Sequence, residues 1–122
     1  MDGQVTNGPS DDELGGEPVL VVSVGREGTS VELTLNGDLD LHGSGQLRAG
    51  IEAALALGAV EAVEVDLRGV TFIDSSGLQA VLNGRAAVRA ADLEFRIVGV
   101  SPTVERVADI AGLTDELRVH EP

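Results

Sequence analysis

The chain has 122 residues, enough for one domain with a substantial core, and carries 21 acidic against 8 basic residues. The net charge of -13 opposes binding to nucleic acid or to anionic lipid, so we expect a protein or small-molecule partner. Every basic residue is arginine and cysteine is absent, which excludes P-loop lysine and Schiff-base chemistry, disulfides and thiolate catalysis. No apolar run is long enough for a membrane span and no signal segment is recognisable, which predicts a cytoplasmic protein.

Residues 1–18 are predicted to be a disordered acidic tail in front of a single domain over residues 19–122. This stretch contains five carboxylates, no basic residue and only three sizeable aliphatic side chains, Met1, Val5 and Leu14. So little apolar surface cannot offset the conformational entropy that ordering would remove.

Two strands and a helix are predicted next. Residues Val19–Val24 are rich in β-branched side chains, and Ser30–Asn36 alternate polar and apolar residues, which indicates a hairpin. From Ser44 to Leu57 the apolar residues recur at helical spacing, and Gly58 can end the helix.

The second half of the domain alternates strands and helices. A third strand over Glu61–Leu67 leads through the Asp74-Ser75-Ser76-Gly77 turn into a helix from about Ser76 to Ala90. A fourth strand over Leu93–Val100 precedes Ser101-Pro102, a strong start signal for a third helix. Residues Leu117–Val119 are predicted as a short last strand.

The resulting order, β-β-α-β-α-β-α-β, predicts an α/β fold with a mixed sheet and helices packed against it. Nine aliphatic residues are expected in its core: Leu47, Ile51, Val63, Val65, Leu67, Leu82, Ile97, Val104 and Val107.

The turn from Phe72 to Leu78 places a carboxylate and two hydroxyl groups where a strand gives way to a helix. The first turn of a helix has unpaired N–H groups and a partial positive charge, so it can stabilise an anion such as a phosphoryl group. Asp and Ser are also favoured capping residues, and a cap alone is the simpler interpretation of an isolated turn of this kind.

Three motifs in this order resemble the STAS-domain family and, within it, the bacterial anti-sigma factor antagonists. They are Gly37-Asp38-Leu39-Asp40 at the end of the second strand, Phe72–Leu78, and Ser101–Val104 followed by Ala111-Gly112-Leu113. The likeness covers about residues 19–120. It implies a STAS-like domain that is a binding module rather than an enzyme.

The resemblance also implies a switch. The unmodified protein would bind an anti-sigma factor that is a GHKL-type serine kinase, free a sigma factor, and lose binding once Ser75 is phosphorylated. The expected partner-binding residues are Asp38, Asp40, Asp74, Ser75, Ser76, Gly77 and Leu78, with no catalytic residue, metal or cofactor. We expect a monomer, with a weak dimer as the alternative.

The same residues allow other interpretations. Asp38 and Asp40 are two apart and could share a divalent cation, although such pairs more often cap or face solvent. A triad of Ser75, His42 and Asp74 is disfavoured because G-x-S-x-G is absent. Alternative functions are a nucleotide-binding STAS domain, disfavoured by the lack of lysine, and a scaffold subunit of a stress-sensing assembly.

Overall fold

The computed structural model describes residues 19–120, which form seven elements in the order β-β-α-β-α-β-α. The strands are β1 (Leu20–Glu27), β2 (Ser30–Leu39), β3 (Ala62–Ile73) and β4 (Glu94–Val100). The helices are α1 (Leu41–Ala56), α2 (Ser75–Ala90) and α3 (Pro102–Ile110). None of these helices is both long and apolar enough to cross a membrane. The predicted tail, residues 1–18, lies outside the described residues.

The four strands form one mixed sheet in the order β1-β2-β3-β4. Strand β1 runs antiparallel to β2, whereas β2 pairs with β3, and β3 with β4, in parallel. Parallel neighbours require crossover connections of one hand, so α1 and α2 lie on the same face of the sheet and pack against each other. The predicted mixed sheet with helices packed against it is confirmed.

The core lies between this sheet and the helices. Seven of the nine expected core residues are buried: Leu47, Ile51, Val63, Val65, Leu67, Ile97 and Val104. Leu82 and Val107 are half-buried instead. The buried stripe of α2 runs through Val81, Gly84 and Val88, so Leu82 is turned away from its centre.

The first three strands and the first helix are longer than predicted, and the predicted last strand is missing. Helix α1 begins at Leu41 rather than Ser44, and β3 continues to Ile73 because its second half pairs with β2. The prediction of a strand over Leu117–Val119 is wrong. There the chain turns back on itself, with the N–H of Leu117 donating to the carbonyl of Leu113, so these groups cannot join a ladder.

Strand β1 forms one edge of the sheet and, within residues 19–120, pairs only with β2. Its Val21 and Val24 side chains are 55% and 50% exposed. At the end of the strand, Arg26 anchors the segment that follows α1, because its Nη2 donates to the carbonyls of Gly58 and Ala59 at 2.6 and 2.9 Å.

A buried carboxylate in the middle of β3 depends on one arginine. Asp66 is 6% exposed, and its Oδ1 accepts hydrogen bonds from the backbone N–H and the Nε of Arg68, each at 3.0 Å. The Nη2 of Arg68 lies 2.7 Å from Oδ2. The hydrogen bond from the Arg68 side chain holds the pKa of Asp66 below its usual range, although burial acts in the opposite direction.

We therefore expect the Arg68→Gln variant to lose stability in a pH-dependent way. A carboxylate whose pKa is lowered by folding stabilises the fold above its unfolded pKa of about 3.9, and this contribution disappears as the pH falls through the lower folded value. The free energy of unfolding of the variant should fall furthest below that of the wild type at about pH 7. The difference should shrink below about pH 4. Urea unfolding at several pH values measures it. Arg118→Gln is the control, since its pair with Asp115 is exposed on both sides; an equal, pH-independent deficit in both variants would contradict the assignment.

Candidate partner-binding and phosphorylation site

Two strand–helix junctions meet at one edge of the sheet. The parallel strands β2 and β3 end together, with Leu39 opposite Ile73, and each is followed by an aspartate that caps the next helix. The Oδ1 of Asp40 accepts the N–H of Gly43 at 2.8 Å. The Oδ1 of Asp74 accepts the N–H of Gly77 at 3.0 Å. Both aspartates are thus engaged in holding helix ends in place.

Of the capping candidates in this turn, Asp74 rather than either serine caps the second helix. Asp74 has the extended backbone of an N-cap, with φ -124° and ψ -172°, whereas Ser75 and Ser76 already lie within the helix. Ser75 is the first helical residue and is exposed, and Ser76 is half-buried. Ser75 is therefore the more accessible of the two serines. Because the cap is made by Asp74, the hydroxyl of Ser75 is not needed for it.

Gly77 lies where the two junctions come into close contact. A Cβ on this residue would overlap the carbonyl oxygen of Leu39, so only glycine permits this approach of α2 to the end of β2. Gly77 is buried, and Leu78 is 4% exposed. These two predicted partner-binding residues therefore lie beneath the surface and support it.

The end of β2 is shaped by a bulge. Gly37 has φ 118°, and a Cβ there would overlap the carbonyl oxygen of Val19. Glycine is therefore required at the first position of the Gly37–Asp40 motif. The register shifts between Gly37 and Asp38, and the half-buried Asp38 accepts the Thr71 hydroxyl at 3.3 Å. Asp38 and Asp40 thus have separate partners. In the described part of the chain no three His, Asp or Glu side chains form a candidate metal site.

Ser75 opens onto a groove that runs between α1 and α2, lined by α1 from Leu41 to Leu55 and by α2 from Ser75 to Ala87. We call it the α1–α2 groove; its volume is about 760 Å³. Leu41, at the mouth of the groove, is 76% exposed. The Oγ of Ser44 lies 2.7 Å from the carbonyl oxygen of Asp40 and 3.1 Å from that of Ser76, so its single proton is shared between α1's own first turn and α2.

Sequence reasoning missed the contribution of α1 to this surface. Leu41 and Arg48 both line the groove, but the predicted helix began at Ser44 and left Leu41 outside it. The available signal was Asp40, a favoured capping residue. Starting the helix after Asp40 places Leu41, Ser44, Arg48 and Leu55 on one face at spacings of three, four and seven residues.

Comparison with known proteins places this geometry in a family. The family model described as Mlab, STAS domain matches residues 22–119. The chain belongs to the STAS domain family. The predicted resemblance is therefore confirmed over nearly all of the described residues.

Relatives of this STAS domain are regulatory proteins. The anti-sigma F factor antagonist of Lysinibacillus sphaericus is 36% identical over 84 residues, which cover 69% of this chain and 72% of the relative. The structure of the anti-sigma factor antagonist SpoIIAA in its unphosphorylated form matches with a TM-score of 0.66 and 28% identity, over 83% of this chain and 89% of that chain. The phosphorylated form of SpoIIAA from Bacillus matches with a TM-score of 0.61 and 27% identity, over 83% and 92%.

We predict that Gly77→Ala destabilises this STAS domain by about 2 kcal/mol or more, because the added methyl group forces α2 away from Leu39. Gly45→Ala is the matched control. A Cβ at Gly45, which also lies within a helix, meets nothing within 4 Å, so this change should stabilise by up to about 1 kcal/mol. Urea denaturation of the three proteins makes the comparison. Equal unfolding midpoints for the two variants would show that the contact at Leu39 is unimportant.

Proposed function

We propose that this STAS domain is an anti-sigma factor antagonist controlled by phosphorylation of Ser75. In its unmodified form it binds an anti-sigma factor that is a GHKL-type kinase and thereby frees a sigma factor; in its phosphorylated form it no longer binds. The observation that carries the proposal is the exposed hydroxyl of Ser75 in the first turn of α2, at the mouth of the α1–α2 groove. The family and the names of the relatives support it.

The chemistry of the switch requires little from the antagonist itself. The Oγ of Ser75 would attack the γ-phosphorus of an ATP molecule held by the kinase, forming an O–P bond. The bond from that phosphorus to the β–γ bridging oxygen breaks, ADP leaves, and a base on the kinase takes the hydroxyl proton. The antagonist presents the hydroxyl group and provides no catalytic residue of its own.

The fold should tolerate the modification while the interface does not. Asp74 maintains the helix cap, so a phosphoryl group on Ser75 leaves that hydrogen bond in place. The new group adds a charge of about -1.5 to -2 at pH 7, and the adjacent carboxylate of Asp74 repels it. In the complex it would also have to be desolvated beside the apolar side chain of Leu41, which is costly. Phosphorylation therefore weakens binding without unfolding the domain.

The proposed partner surface comprises the exposed and half-buried groups of the two junctions: Asp38, Asp40, Leu41, Asp74, Ser75 and Ser76. With a net charge of -13, the antagonist favours association with a more basic surface on its partner. We propose that the antagonist is monomeric and reaches the kinase by this electrostatic attraction. Association should then slow as the salt concentration rises.

We predict that Ser75 is the phosphoacceptor. After incubation with the kinase and ATP, tandem mass spectrometry should find the phosphoryl group on Ser75 of the wild type and no phosphoryl group on Ser75→Ala. Ser75→Ala should still bind the kinase, whereas Ser75→Asp should bind more weakly, although one carboxylate carries only part of the charge of a phosphate. Ser76→Ala is the control and should be labelled like the wild type. Phosphate on Ser76 alone would refute the assignment.

We also predict that Leu41 contributes directly to partner binding. Leu41→Asp should reduce affinity for the kinase about tenfold or more, because an exposed apolar side chain at the centre of an interface contributes strongly to binding. Ile110→Asp is the matched control, since Ile110 is 79% exposed at the end of α3 and does not line the groove. Isothermal titration calorimetry measures both affinities. A similar loss for the two variants would place the interface elsewhere.

A further inference from the structure

The charged side chains around Ser75 determine which groups a phosphoryl group on this serine would contact. Asp74 lies directly before the serine, and Asp40 caps the neighbouring helix. Within the α1–α2 groove, Glu52 is the acidic residue and Arg48 the basic one among the lining residues of the described chain. A phosphoryl group on Ser75 would therefore face carboxylates on the sheet side and one guanidinium group along the groove.

The partial positive charge at the N-terminal end of α2 is only partly available to stabilise the phosphate. This charge arises from the unpaired N–H groups of the first turn. The N–H of Gly77 is already donated to the Asp74 carboxylate at 3.0 Å. This capping carboxylate partly neutralises the helix end, so a second anion bound there gains less than it would at an uncapped helix. A cation close to the site would stabilise the phosphate more.

The packing of the two helices directs Arg48 towards that position. Ser44 contacts Ser76, and further along Ile51 lies against Gly84, so the helices run side by side in the same direction. Arg48 lies between these contacts, little more than one turn, about 5.4 Å, beyond the level of Ser76. Arg48 and Ser75 both line the groove. Because helical side chains lean towards the N-terminus of their helix, an arginine at this position can reach back along the groove towards Ser75.

We propose that the guanidinium group of Arg48 binds the phosphoryl group of phosphorylated Ser75 across the α1–α2 groove. Guanidinium groups match phosphate geometry with two parallel N–H donors, so a single arginine can hold the group from one side. This inference rests on the proposed phosphorylation of Ser75. It adds a second effect to the switch. The phosphoryl group adds negative charge, and its bridge to Arg48 would also cover the mouth of the groove.

The test measures the second pKa of the phosphoserine, which is about 6 in the absence of a partner. Phosphoserine is incorporated at position 75 during translation, so no kinase is needed and the result is independent of whether a kinase uses this site in cells. All variants carry His42→Gln, which removes the histidine on the first turn of α1 and leaves Arg48 as the basic side chain under test. The pKa is read from phosphorus-31 NMR spectra recorded across the titration.

The variants are Arg48→Gln and, as the matched control, Arg89→Gln, which removes an exposed arginine in the last turn of α2 outside the groove. An arginine that pairs with the phosphate favours its dianion, so removal of Arg48 should raise the pKa by about half a unit, as expected for a partly exposed ion pair. Arg89→Gln should leave it unchanged. An unchanged pKa in Arg48→Gln, or equal shifts in both variants, would overturn the proposal. Failure of the kinase to label Ser75 would instead refute the proposed function.

Discussion

The packing of the Gly77 backbone against the carbonyl of Leu39 is the constraint on which the site depends. It brings the start of α2 against the end of β2, while Asp40 begins α1 immediately after that same strand. The ends of two strands and the starts of two helices are thereby locked together. Since protein interiors are closely packed and yield little, the spacing of the two helices near Ser75 is set by this contact. A groove with a defined mouth follows from it.

The aspartate and serine side chains at this edge of the sheet have separate roles, which makes the edge suitable for regulation. Aspartates cap both helices, whereas the serine hydroxyl that follows Asp74 is left at the surface. If Ser75 itself capped the helix, its modification would alter the stability of α2. With Asp74 in that role, a change at Ser75 can alter the electrostatics of the surface while the backbone beneath remains in place. In the proposed switch, stability and signalling would therefore depend on adjacent residues.

Sequence reasoning predicted the order of the elements and the turn that carries Ser75, because apolar periodicity and strong start signals such as Ser101-Pro102 are local. It misplaced the start of α1, since Gly43 and Gly45 are weak helix formers and concealed the Asp40 cap. The groove could not be predicted, because it depends on the close approach of α1 and α2. The prediction of a last strand is wrong because it, too, depended on tertiary packing. Leu117, an apolar residue of that segment, is buried in the core from a turn rather than from a strand.

The free edge of β1 has a consequence for how copies of the chain behave together. An exposed strand with unpaired backbone groups and half-exposed valines, such as Val21 and Val24, is a template onto which another strand can add. Charge repulsion between molecules that each carry -13 opposes this association. That protection acts through solvent, and its range falls from about 10 Å at 0.1 M salt to about 3 Å at 1 M. The colloidal stability of the protein is thus coupled to ionic strength, and concentrated salt exposes a tendency to self-associate that dilute buffer suppresses.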